Sequence, residues 1–429
     1  MDYFKKGKVN EAVIQLRNAL RVDPHYAEAG DMLGKIEMQL GQYAQSYQAL
    51  KGAVNDQPDY LPARRDLGSL YMVARDFQKA QEEAEYVLQK DPNDVDARIL
   101  LASSFAGQNK LPDAESELNR TLEISPGNAG ALLSLASLKI ANKHLSDAEP
   151  LLKLAIDKNP SLVTTYLALV NFYMGTNRSA EAEPLFNKAL TVSNNDVTVL
   201  QAQVRYYILL SNWARAEESV RKIQSFYGKD ERYWGVLADY YMLRNDWPNA
   251  KTELQRILIE HKKDVQSRRK LVEVHFALKD FTSAEQLNEA VLKENPKDAL
   301  AHLAKGRVYL TKNDPNNALL EFNQTKQFEP NLPAVNFWLA QAYLQRNDIE
   351  QAKQSLGEAI KNAPNFRVAR LILAELLLRS NAPDAALIEG QKMVKNDSRD
   401  LQAVMLIARA YMLKKAFQRM RSWLCSWVP

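Results

Sequence analysis

The chain has 429 residues, 46% of them hydrophobic and 25% charged, with 15 glycines and one cysteine, Cys425. Its 56 basic and 52 acidic residues nearly cancel at +4, which argues against a nucleic-acid-binding surface. The lone cysteine excludes an internal disulfide, no run of 18 apolar residues could span a membrane, and scarce glycine disfavours a turn-rich sheet fold.

The opening stretch, 1–26, predicts the second half of a helix pair. Tyr3 holds the ring position of a first helix, so Met1 falls in mid-helix and the chain is expected to begin inside a longer array. The next pattern is clearest over 61–94, where two short helices are expected. Leu67, Gly68 and Tyr71 share one face of the first; Ala80, Ala84 and Val87 lie on the face of the second that meets it. Arg75 and Asp76 mark the turn, and Pro92 closes the unit. A pair this small cannot bury its apolar face alone and needs stacked copies.

Those copies recur with a period of 34 residues. Pro24, Pro58, Pro92, Pro126, Pro160, Pro296, Pro330 and Pro364 keep the frame, and Asn194, Gly228, Lys262 and Ser398 fill it where proline is lost. Proline stops a helix because it lacks an N–H and restricts the residue before it. Twelve residues before each marker comes a small residue: Ala12, Ser46, then alanine at 80, 114, 148, 182, 216, 250, 284, 318, 352 and 386. Two helices must touch there, since a larger side chain would force them apart. Nine residues after the marker leucine dominates, with Gln203 and Lys305 as exceptions, and thirteen after it stands a ring such as Tyr71, Phe105, Tyr173 or Tyr241.

Leu-Gly/Ala, then Tyr, then Ala, then Pro in a strict 34-residue frame resembles the tetratricopeptide repeat, and the resemblance covers essentially the whole chain. It implies an all-α fold, a right-handed superhelical solenoid of about 24 antiparallel helices. Eleven full repeats are expected over 27–400, after the partial repeat 1–26 and before a partial repeat and irregular tail over 401–429. In that tail Phe417 fits the frame, but Met420 stands where alanine is expected. Arg419, Arg421, Trp423 and Trp427 read as the end of a truncated piece, or as a short membrane-interface contact. The aromatic-rich stretch 194–263, including Trp213, Trp234 and Trp247, is expected to be repacked core.

Nothing in the sequence assembles a catalytic or metal-binding set. His25, His144, His261, His275 and His302 fall at different frame positions, and His275 replaces a core ring. No phosphate-cradling Gly-rich loop, nucleophile elbow or Cys pair occurs, so no enzyme activity, cofactor, metal or small-molecule substrate is expected. The resemblance instead implies a concave groove lined by first helices, with protein or extended peptide partners. Eleven residues after each marker a polar row runs through Lys35, Ser69, Ser103, Ser137, Asn171, Arg205, Asp239, Glu273, Arg307 and Gln341. Fourteen after it an apolar, methionine-rich row includes Met38, Met72, Met174, Met242 and Phe276. Methionine repacks around varied shapes, so the two rows suit an adaptable peptide groove or, equally, simple helix packing.

Some tetratricopeptide co-chaperones clamp C-terminal carboxylates. Here Asn171 matches one clamp position, but Leu167 stands where a lysine is needed and Asn336 is out of frame, so no clamp is expected. The opening run AVIQLRNAL, with Asp-Pro and Leu-Gly-Lys-Ile after it, also resembles bacterial repeat lipoproteins of PEP-CTERM/exosortase exopolysaccharide systems. That would imply an assembly or export role at the envelope, with membrane contact through a lipidated N-terminus; as written, the chain reads as cytoplasmic.

Overall fold

The computed structural model describes residues 9–414 and Trp423. Among these residues the chain forms 24 α-helices, one 3-10 turn and no strand. The readings on Met1, Tyr3, Phe417, Arg419, Met420, Arg421, Cys425 and Trp427 lie outside the described residues. Trp423 packs against the last core cluster, which includes Leu378, Ala386, Leu406 and Ile407. Two compact units divide the chain, Met1–Ser219 and Val220–Pro429. Within each unit the fold is the all-α, right-handed solenoid of stacked antiparallel pairs.

The pair Leu61–Val73 and Phe77–Lys90 shows how the sequence builds one unit. Its first helix has 13 residues and its second 14. Arg75 between them is left-handed, with φ 59°. The next amide, of Asp76, donates to the Tyr71 carbonyl at 2.9 Å, closing the first helix with a Schellman-type end. The Asp76 carboxylate then accepts from the Lys79 amide and caps the second helix. This turn repeats every 34 residues, at Gly41, Arg75, Asn109, Lys143, Asn177, Ser211, Asn245, Lys279, Asn313, Asn347 and Asn381, all with positive φ. Asparagine and glycine tolerate that conformation best, which accounts for their share of the series.

The alanine series is buried from Ala12 to Ala386. Its one serine, Ser46, is also fully buried, and its hydroxyl donates to the Gly34 carbonyl at 2.8 Å. The two departures from the leucine series have partners as well. Gln203 is buried and accepts from the Ser219 hydroxyl at 2.9 Å, while the Lys305 ammonium meets Glu321 at 2.8 Å. His275 is buried at a ring position, with Nδ1 3.0 Å from Asp280.

One repeat departs from the pattern. Gly228 replaces the marker proline, and the helix before it, Trp213–Tyr227, runs to 15 residues. A 3-10 turn, Glu231–Tyr233, then takes the place of the usual first turns, and the following helix, Val236–Leu243, has only 8 residues. The aromatics of this stretch divide between core and surface. In the first unit Tyr206 and Tyr207 are buried, as are Tyr240 and Tyr241 in the second. Phe226, however, is exposed, and Trp234 lies flat on His261 with centroids 3.5 Å apart.

Candidate functional site

The polar row proves largely satisfied by the solenoid itself. The hydroxyls of Ser69, Ser103 and Ser137 donate to carbonyls of their own helices, at Arg65, Ile99 and Leu133. Lys35 bridges Asp31 at 3.1 Å and Asp66 at 2.6 Å. Asp239 pairs with Lys270 at 2.6 Å. Glu273 pairs with Arg307, and Glu375 with Arg409, each pair joining the same frame position on successive first helices. Asn171 and Arg205 are exposed.

The apolar row is half-buried through most of its length. Met38 and Met72 pack against the core cluster around Leu67 and Tyr71. Met174 and Met242 are half-buried. The row therefore contributes to the core while leaving part of each side chain accessible.

Two stretches open into grooves. In the first unit Ser103 and Ser137 line a cleft of about 440 Å³ whose remaining walls are alanine, leucine and Ser134. In the second unit a larger groove of about 830 Å³ gathers Met242, Glu273, Phe276, Arg307 and Gln341. The other eight candidates, Lys35, Met38, Ser69, Met72, Asn171, Met174, Arg205 and Asp239, lie outside these two grooves.

The larger groove is built by first helices Val236–Leu243, Val265–Ala277, Ala299–Thr311 and Pro333–Gln345. Its walls include Trp247, Leu310, Trp338 and Leu344. The Arg307 guanidinium sits 4.0 Å from the Phe276 ring centre and 5.0 Å from that of Trp338, a stacked position that favours a planar cation. The Arg307 side chain is only 16% exposed, whereas its partner Glu273 is 47% exposed. The Arg307 Nε–H is buried and meets no acceptor. Leaving a buried donor unmet costs about 1–3 kcal/mol.

Trp338 and Trp247 are among the groove residues that sequence reasoning missed. Trp338, Gln341 and Gln345 all line the groove at spacings that keep one helical face, so extending the polar row by one turn in each direction would have found the first. Trp247 starts a second helix, where a core ring was expected; instead it walls the groove. Asn336 is buried, apart from this groove. Among the described residues no cluster of His, Cys, Asp and Glu could hold a metal, and no helix is long and apolar enough to cross a membrane.

Comparison with known proteins places the repeat. No curated protein sequence matches the chain. Among solved structures, yeast Tom70 aligns over 92% of this chain and 97% of its own, at 15% identity and TM-score 0.49. Cut9–Hcn1 of the APC/C aligns over 95% and 94%, at 14% and 0.43. A thermophilic TPR protein of Thermus thermophilus aligns over 43% and 98%, at 21% and 0.39. Three family models, each described as tetratricopeptide repeat, match at 65–129 and 339–401, at 106–171 and 241–308, and at 163–196. With its 34-residue pairs, buried alanine series and left-handed turns, the chain belongs to the tetratricopeptide-repeat family.

Proposed function

We propose that this chain is a non-enzymatic scaffold that captures an extended protein segment on its first-helix face, chiefly in the groove formed by 242–345. The supporting observation is convergence: Met242, Glu273, Phe276, Arg307 and Gln341, chosen from repeat position alone, surround one groove of about 830 Å³ with two tryptophans in its walls. That volume is of the order that buries a small ligand or several side chains. Aromatic residues and arginine are the residue types that carry most binding energy at protein interfaces. A protein segment would leave its side chains in the apolar part and its backbone against Gln341, Gln345 and Arg307.

The test is peptide display on the full chain, with counterselection on Leu344→Glu and on Met242→Glu. The expected outcome is a set of peptides that bind the natural chain and neither variant, while both variants keep the helical circular dichroism spectrum. Peptides that bind all three proteins equally would rule the groove out. Loss of helicity in Met242→Glu alone would show that methionine to be core, and Leu344→Glu would then decide.

A further inference from the structure

Six residues after each marker stands a first-helix side chain that, in several repeats, reaches back to the marker carbonyl. Arg98 donates to the Pro92 carbonyl at 2.7 Å and to Glu117, on the second helix of its pair, also at 2.7 Å. Arg64 makes the same two bonds to Pro58 and Glu83, and Arg370 makes them to Pro364 and Glu389. In the repeat of Tyr166 the position equivalent to Glu117 is Leu185, so only the carbonyl remains. There the single Tyr166 hydroxyl donates to Pro160 at 2.8 Å. The number of donors follows the number of acceptors, so each tie is satisfied without a spare group.

His302 holds this position in the pair Ala299–Thr311 and Pro315–Phe328. It faces the same two acceptors that an arginine meets elsewhere. Its Nδ1 lies 2.6 Å from the Glu321 carboxylate and its Nε2 2.9 Å from the Pro296 carbonyl. The His302 and Glu321 side chains are only 13% and 14% exposed. The other Glu321 oxygen accepts from the Lys305 ammonium at 2.8 Å, so that carboxylate is an acceptor on both sides. Among the neighbouring helices, Pro333–Gln345 carries no charged side chain, and Phe281–Glu294 brings Glu289 toward Lys305. Asp298, at the start of the His302 helix, is taken by Arg269. A neutral imidazole offers one N–H, and two acceptors call for two; the ring fills an arginine's place only with a proton on each nitrogen.

We propose that His302 is a proton-operated tie. As the imidazolium it fastens both the marker turn and the second helix to the first helix of its repeat; as the neutral ring it lets one of them go. Histidine gains and loses its charge between about pH 5 and 8, whereas arginine keeps its own throughout. Unlike the ties at Arg64, Arg98 and Arg370, this one therefore responds to pH in that range. The stability it contributes is present on the acid side and is lost as pH rises, because the folded pair holds a proton that the released ring gives up. The same first helix carries Arg307, Leu310 and Thr311 into the groove, so the repeat that loosens is one that shapes it. The effect belongs to the repeat itself and is read with no ligand in the groove.

Hydrogen exchange of the full chain at about pH 5.5 and about pH 8 tests it, with rates expressed as protection factors so that the intrinsic pH dependence of exchange cancels. Protection over Ala299–Thr311 and Pro315–Phe328 should fall about tenfold between the two, the effect of losing one hydrogen bond to a charged group, while Ile349–Asn362 changes little. His302→Arg should keep protection high at both pH values, and His302→Gln should leave it low at both. In a chain carrying isotope-labelled histidine, the ring signal missing from His302→Arg should show two protonated nitrogens at the lower pH and one at the higher. A single N–H on that ring at the lower pH overturns the proposal. So does protection that stays constant with pH in the natural chain, or that falls equally in His302→Arg. If His302→Gln does not fold, the natural chain and His302→Arg still decide.

Discussion

Gly306 and Gly357 allow one substitution to be tested with opposite expected signs. Gly306 lies within helix Ala299–Thr311. A Cβ built there would press into three ring carbons of Phe322, closer than side-chain carbons ever approach. Carbon atoms in good contact sit about 3.5–4.0 Å apart, so the ring would have to retreat by roughly 1 Å or more. Phe322 is fully buried in a cluster with Leu303, Leu319, Val335 and Leu339, and has nowhere to go. Overpacking of that kind costs about 1–3 kcal/mol, while alanine returns about 1 kcal/mol of helix propensity. Gly306→Ala should therefore destabilise by about 1 kcal/mol net, and at most about 2. Gly357 sits in helix Ile349–Asn362, and a Cβ there meets nothing within 4 Å. Only the propensity operates, so Gly357→Ala should stabilise by about 0.5–1 kcal/mol. Urea midpoints by circular dichroism give the signs, and hydrogen exchange over Ala299–Thr311 and Pro315–Phe328 locates the loss. If Gly306→Ala raised the midpoint as Gly357→Ala does, the close approach of the two helices would be refuted.

Two further expectations concern the first unit. Lys143 holds the left-handed turn position with φ 62°, where a side chain costs about 1–2 kcal/mol and glycine costs only chain entropy; Lys143→Gly should raise the urea midpoint, and a drop would show that the lysine side chain stabilises the turn. Asp31 is buried beside Asp66 and Lys35, and burial first, then its hydrogen bond with Asp66, raises its carboxyl to about 7. The folded chain then keeps a proton between about pH 4 and 7 that the unfolded chain has released, so stability falls as pH rises through that window and levels off above it. Asp31→Asn should flatten this part of the profile relative to the natural chain, as read by exchange over Ala27–Gln39; parallel profiles would refute the assignment.

Much of this architecture is legible in the sequence because a repeat states each requirement many times. Alanine at 80, 114 or 250 means little once, but its recurrence identifies the contact between paired helices, and all three are fully buried. The asparagines at 109, 177, 245, 313, 347 and 381 carried a second signal that was equally available, the left-handed turn, and it is clearest in the backbone angles. Position alone also predicted which side chains share the first-helix face. It could not predict where that face opens. Ser69 and Ser103 occupy the same frame position, yet the cleft over 102–141 takes in Ser103 and not Ser69, because cleft depth depends on neighbours from several helices at once.

The same dependence explains why one frame position opens a groove in one repeat and packs in another. In the first unit the cleft over 102–141 is lined by Ala102, Ala106 and Ala141 with leucines and serines, and measures about 440 Å³. Met38 and Met72, which keep the consensus pattern of the apolar row, pack against the core and lie outside both grooves. The groove over 242–345 is lined by small side chains at Ala277 and Thr311 together with large ones at Phe276, Trp247 and Trp338. Its volume is about 830 Å³. Arg307, in the polar row, is then held between two rings with its Nε–H unmet. A residue conforming to the repeat mainly stabilises the stack, since each copy must present the same face to its neighbour. A groove needs several large side chains from different repeats to face one another, and here Trp247, Phe276, Arg307 and Trp338 do so around one volume.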